Sequence, residues 1–261
     1  MKFYLALLLC AVVAAAPSEK AQPQFTDLLE EFSRTNDRSF LVNALVRQLF
    51  TYLRFVINNG SAIFGTPPLD PLILDHYHLY IPAGLINLDL DLKNIRATGF
   101  GGFVVVTSNL NLSTMTFDVE ILFPELDITA EHYDLKGDLY TAIPLYGKGH
   151  ARFLVKNFVF SAKLFLKQSE DQKSILIDRI ENPSFNIPSF KAAMTGAIGG
   201  GDIDAIVNAI TEDVIIGYVN RFQAVIASYT AAGVVILGNP ILDTLDTWRF
   251  ISPLMPRTNE E

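Results

Sequence analysis

His76 and His78 stand two residues apart. In an extended strand, side chains alternate between the two faces, so both imidazoles fall on one side. Two imidazoles are half of a tetrahedral metal site, but the spacing supplies no third ligand and the pair reads as surface histidines. His132 and His150 stand alone in the sequence. Asp89 and Asp91 look like a carboxylate pair, yet their parity is opposite to that of Leu88 and Leu90, which assigns them to solvent. The glycines at 99, 101, 102 and 199–201 are turn signals; neither cluster has the preceding strand and internal spacing of a phosphate loop. The sequence has no Gly-x-Ser-x-Gly elbow and no His-Glu-x-x-His pair, and its one cysteine is Cys10. Catalysis, a metal centre and a cofactor are therefore not expected. Seven tyrosines (Tyr77, Tyr80, Tyr133, Tyr140, Tyr146, Tyr218 and Tyr229) remain as hydroxyls for an ester, epoxide or carboxylate head, although a core tyrosine with a wet tip is the commoner arrangement.

Half of the residues are hydrophobic, 18% are charged, phenylalanine occurs 19 times and the net charge is -8. The basic residues form no patch, so nucleic acid and anionic membrane surfaces are poor partners. Lys2, the apolar run from Phe3 to Val13 and the alanines at 14–16 have the layout of a secretory signal peptide over residues 1–16. The run is shorter than the roughly 20 apolar residues of a membrane span. A secreted, extracellular chain without stable membrane insertion is expected, starting near Pro17 or Ser18, with residues 17–261 as one monomeric domain. Removing Cys10 with the signal leaves no disulfide, so an apolar core must hold the remaining residues together. Asn59-Gly60-Ser61 and Asn111-Leu112-Ser113 are glycosylation sequons, whereas Pro183 excludes Asn182.

The elements that would position these groups are legible in the periodicity. Leu41, Leu45, Leu49, Leu53 and Val56 recur at helical steps between Phe40 and Ile57. Beyond the prolines at 67, 68 and 71 the period becomes two: Ile86 to Leu92, Phe117 to Phe123, and Phe158 to Leu166 alternate with polar residues. Turn signals at 99–102, 131–137, 147–149 and 170–172 divide these runs into an antiparallel meander with one apolar face. After Gly199–Gly201, Asp202 is a candidate N-cap. Ile203, Ile206, Ile210, Val214, Tyr218, Phe222, Val225 and Tyr229 then mark one helical stripe to about Ser228, on the order of 40 Å long. A rod of that length needs a long apolar partner, and the meander's greasy face is the one available. The expected fold is α+β, a long helix wrapped by a strongly curved antiparallel sheet.

Pro68-Leu69-Asp70-Pro71-Leu72, then Phe123-Pro124-Glu125-Leu126, Tyr133, Gly137 and Ile143-Pro144-Leu145-Tyr146-Gly147-Lys148-Gly149, and finally Leu237-Gly238-Asn239-Pro240-Ile241, occur in the order and spacing of a known family. In these features the chain resembles the insect haemolymph juvenile-hormone-binding family, which includes the takeout proteins. The resemblance implies a hydrophobic tunnel between helix and sheet, holding juvenile hormone, a terpenoid, a fatty acid or a related lipid. The family's N-terminal cysteine pair is missing here, which sets this chain apart. On that reading Ile210, Val214, Tyr218, Phe222, Val225 and Tyr229 line the tunnel floor, and Phe117, Val119, Ile121, Phe158 and Phe160 its walls. The partners would be a small hydrophobic ligand and an unidentified receptor. The alternative is a non-catalytic signalling or structural protein of the same fold, with those phenylalanines filling the tunnel.

Overall fold

The computed structural model describes residues 38–60, 67–82, 86–139, 141–243, 247–252 and 255. The expected signal segment with Cys10, and also Ser61 and Tyr140, lie outside the described residues. Helix α1 spans Arg38–Asn59 and buries Val46, Phe50, Leu53 and Ile57, spaced at three and four residues along one flank. It ends at Gly60, whose φ of 75° suits a residue without Cβ.

Seven antiparallel strands come next: β1 (Leu72–Pro82), β2 (Ile86–Thr98), β3 (Val104–Asn111), β4 (Thr116–Leu139), β5 (Ile143–Gln168), β6 (Ile175–Asn186) and β7 (Ser189–Met194). The long β4–β5 hairpin is the spine, paired from Thr116↔Phe165 to Leu139↔Ile143. β3 pairs with the first part of β4 and β2 with the rest; β1 adds to β2. The other side of β5 pairs with β7 along Ala151–Lys156 and with β6 along Val159–Gln168. The face on which α1 packs is the inner face.

Two expected turns are strand instead: 131–137 belongs to β4 and 147–149 to β5. Gly147 and Gly149 serve close approach. A Cβ at Gly149 would stand 2.0 Å from the Thr195 carbonyl oxygen, and one at Gly147 2.8 Å from the Tyr133 hydroxyl. Asn94, Asn157 and Asn182 lie within strands at φ of 50°, 56° and 49°, a left-handed conformation that asparagine tolerates better than most residues. Across Asn157 the inward parity of β5 flips from Phe158, Phe160 and Ala162 to Val155, Phe153 and Ala151; opposite it, β4 changes from Ile121 and Phe123 to Leu126 and Ile128.

The expected late helix runs further than its stripe suggested. Helix α2 (Asp202–Asp213) passes through a π-helical segment (Val214–Val219) into α3 (Gln223–Leu242), and a short α4 (Trp248–Ile251) comes after it. Asp202 is not the cap: Gly201 precedes the helix and no side chain caps it. Asp204 does the polar work there, accepting from the Gly196 and Ala197 amides at 3.0 and 2.7 Å.

The helix packs along β7 with α2 and along β6 with α3, and it does so through hydrogen bonds to the backbone of those edge strands and of the link between them. Asn208 accepts from the Met194 amide and donates to its carbonyl. Asn220 does the same at Ile187 and Asn239 at Ile177. Glu212 accepts from Ala192, and Gln223 from Phe185. Four helical residues rise about 6 Å and two strand residues about 6.6 Å, so Asp204, Asn208 and Glu212 meet successive outward-facing amides of the strand. The edge is thereby closed by side chains in place of another strand.

Candidate functional site

The inner face divides into three stretches. At one end Phe117, Val119, Ile121, Leu164 and Ile177 are buried in a core shared with α1, α3 and α4, with the Phe50 and Phe117 rings 6.3 Å apart. At the other, Leu92, Tyr133, Ala151 and Met194 pack with Val207 of α2. Between them Leu126, Val155, Phe190 and Ala192 are buried, while the large side chains of Phe123, Phe153 and Phe158 are only half-buried. Phe123 and Phe158 are register partners with ring centres 5.8 Å apart, Phe158 lies 6.0 Å from Phe185, and Phe153 stacks on Phe190 at 5.8 Å. Ile215, from the π-helical segment, packs against this middle stretch.

The helix flank beside it is apolar and accessible. Val207 faces the inner surface, and Ile203, Ile210 and Val214 share its flank at helical spacing. Ile203 and Ile210 are 41% and 43% exposed, and Val214 is half-buried. The π-helical turn holds more residues than an α-helical one, which rotates α3 about the axis relative to an unbroken helix. In α3 the buried residues among those described are Ala227, Ala231, Val234 and Leu242; Val225, and Phe222 just before the helix, lie on other faces with 56% and 41% exposure. The eight-residue stripe of the sequence is thus divided at the π-helical segment. Of the expected wall, Phe158 belongs to the middle stretch, whereas Phe117, Val119 and Ile121 are core at the α1 end and Phe160 packs half-buried against them. Tyr218 lies in the π-helical segment and Tyr229 in α3; their side chains are outside the described part. The aromatic neighbours Phe153 and Phe185 and the aliphatic Ile215 were not expected in the site, because the kink at Asn157 interrupts the alternation that would have signalled the first of them.

Polar chemistry gathers elsewhere. The Tyr133 hydroxyl donates to the Thr195 carbonyl at 2.9 Å, and burial, with Asp204 nearby, raises its pKa. Tyr80 and Tyr146 are exposed. On the outer face Arg152 bonds both oxygens of Asp127, at 2.9 and 2.7 Å, and holds that carboxyl below its usual range. His76 and His78 share this face as the spacing implied, and each meets a carboxylate of β2: Asp91 at 2.5 Å and Asp89 at 2.6 Å. The bond from His76 lowers the Asp91 pKa. Among the described residues no group of three or more His, Cys, Asp or Glu is placed to hold a metal ion, and no helix is long and apolar enough to cross a membrane. The sequons differ in setting. Asn111 is exposed at the end of β3, its side-chain oxygen accepting from the Ser113 and Thr114 amides of the turn, while the exposed Asn59 donates to the Phe55 carbonyl.

The family model for haemolymph juvenile hormone binding protein matches residues 6–252. Among solved structures, the chain is similar to Epiphyas postvittana Takeout 1, at 13% identity and a TM-score of 0.46, covering 80% of this chain and 95% of that one. It is also similar to a lipopolysaccharide binding protein, at 11% identity and a TM-score of 0.28, covering 61% of this chain and 34% of that one. No curated protein matches.

Proposed function

Because the chain belongs to the haemolymph juvenile hormone binding protein family, we propose that it is a secreted carrier for a small hydrophobic ligand, held between the middle stretch of the inner face and the flank of α2. The observation that carries this reading is the half-buried state of Phe123, Phe153 and Phe158, in the middle of a face whose two ends are closed by helices. Large aromatic side chains left half-covered beside an accessible row of Ile203, Ile210 and Val214 are a surface that gains from an apolar guest. Each methylene removed from water contributes about 0.8 kcal/mol. A terpenoid or fatty acid of about 15 carbons gains on the order of 10 kcal/mol before the several kcal/mol cost of association. No charged anchor is needed for micromolar binding, and the site offers aromatic and aliphatic walls for juvenile hormone, another terpenoid or a fatty acid. Nothing in the arrangement suggests chemistry on the guest, which should leave unchanged. Asn59 and Asn111 are proposed as the glycan acceptors, to be read from intact mass before and after deglycosylation.

A filled, non-catalytic scaffold is the second reading. It is favoured by the burial of Phe117, Val119 and Ile121 in the core that α1, α3 and α4 share at that end of the inner face. One experiment separates the two. Delipidated protein should take up an environment-sensitive fatty-acid probe, with competition that tracks chain length. Val214→Trp adds bulk to the helix flank and is expected to abolish probe binding while the thermal midpoint stays within a few degrees. Overpacking a filled core instead costs typically 1–3 kcal/mol of stability. A wild type that binds no probe, or a mutant that unfolds while binding persists, leaves the filled scaffold as the function of the fold.

A further inference from the structure

His132 and His150, isolated in the sequence, are neighbours in the fold. Their imidazole rings lie 5.7 Å apart centre to centre, at 51° to one another, on the outer face of adjacent strands β4 and β5. Two features of the backbone bring them together. The register of the pair slips between Ala130↔Ala151 and Tyr133↔Gly149, so the two histidines sit within that irregular step. The backbone of His150 is also held on both sides, its amide donating to the Thr195 hydroxyl oxygen at 3.1 Å and its carbonyl accepting from the Thr195 amide at 3.0 Å.

The chain has four histidines, and the other two are committed to carboxylates, His76 to Asp91 and His78 to Asp89. The rings of His132 and His150 make no hydrogen bond or ion pair among the described residues, and both side chains are exposed. Glu131 and Asp134 flank His132 along β4. Lys93 is its register partner on β2, and Lys148 is engaged by Asp134 at 2.7 Å. Glu131 is engaged by Asn94 at 2.7 Å as Asp134 is by Lys148, so the chelate rests on the two accessible imidazoles of a hydrogen-bonded strand pair, whose nitrogens are otherwise unused among the described residues.

We infer that His132 and His150 form a surface site for a divalent transition-metal ion, taking one nitrogen from each ring and completing the coordination with water. Imidazoles that share an ion at about 2.0–2.1 Å from each nitrogen have ring centres roughly 5 Å apart, within a small side-chain rotation of the observed separation. With imidazole ligands and no cage to impose a geometry, Cu(II) binds more tightly than Ni(II) or Zn(II). The ion ties β4 to β5 on the face opposite the proposed ligand site, so it stabilises the sheet without entering that site.

The test uses the full chain, titrated with Cu(II), Ni(II) and Zn(II) chlorides and monitored by calorimetry, by the paramagnetic resonance spectrum of Cu(II), and by thermal midpoint. One equivalent of Cu(II) with nitrogen coordination is expected, together with a raised midpoint. Both His132→Gln and His150→Gln should weaken the affinity at least tenfold, while the double variant His76→Gln/His78→Gln keeps it. All four rings are exposed, so these replacements leave the core intact. Absence of a one-to-one complex, unchanged affinity in His132→Gln and His150→Gln, or loss in the His76→Gln/His78→Gln variant overturns the assignment.

Discussion

Asp70 shows how a single carboxylate gives a short motif its meaning. It comes after the buried Leu69, precedes Pro71, and accepts from the Gly99 amide at 3.1 and 3.2 Å and from the Gly101 amide at 2.8 Å. It thus ties the start of β1 to the turn after β2, where Gly99 has a φ of 102° and a Cβ would stand 2.0 Å from the Glu125 carbonyl oxygen. Asp70→Ala leaves two partly buried amides without their acceptor and should cost about 1–3 kcal/mol. Asp70→Asn keeps an acceptor oxygen and should cost less; equal losses in the two denaturant titrations would mean that the amides are not what Asp70 serves. Glu212 adds a pH dependence. Its pKa is lowered by the bond from Lys191 at 2.6 Å and by the Ala192 amide. A carboxylate with a depressed folded pKa contributes stability that is present above its unfolded value and lost as the pH falls through the folded one. The gap in thermal midpoint between the wild type and Glu212→Gln should therefore be largest near about pH 7 and close as the pH drops below about 4. A gap that persists in acid would assign the effect to packing.

At the scale of elements, the long helix is held to the sheet by a ladder of side chains. Asn208, Asn220 and Asn239 each satisfy both backbone groups of one edge residue, at Met194, Ile187 and Ile177. Edge amides normally exchange quickly with water, but these should be protected as if another strand lay beside them. Asn208→Ala should deprotect Met194 and lower stability by about 1–3 kcal/mol, with Ile177 unaffected in amide exchange. Uniformly fast exchange at the three edge residues in the wild type would contradict the ladder. None of this was readable in the sequence. The asparagines sit at polar positions of an apolar helix, and spacing alone does not distinguish a side chain bonded to backbone from one bonded to water. Alternation did locate strands wherever their parity held, as at 117–123 and 158–166. It failed where the chain bends: the kinks at Asn94 and Asn157 reverse parity within a strand, and Gly147 and Gly149 mimic a turn while making room for Thr195 and Ala197.

For the whole molecule, the decisive feature is that one inner face serves two purposes along its length. Phe117 and Phe158 both lie on that face, on neighbouring strands, and the sequence assigned them the same role. Position relative to α1 separates them. Phe117 is 3% exposed against Phe50, whereas Phe158 is half-buried in the middle stretch beside Phe123 and Phe185. Where a helix docks depends on contacts between residues distant in the chain, so no local pattern could have distinguished the two phenylalanines. Truncating a buried aromatic residue costs typically 3–5 kcal/mol, through lost transfer energy and the cavity left behind. Phe117→Ala should accordingly lower the thermal midpoint sharply, while the fraction that remains folded binds the fatty-acid probe with wild-type affinity. Phe158→Ala removes a side chain whose face is still partly open, so it should cost less stability and instead change probe affinity and the preferred chain length. Equal destabilisation in the two variants, with probe affinity untouched in Phe158→Ala, would show that the middle stretch is as closed as the rest and remove the physical basis for a carrier.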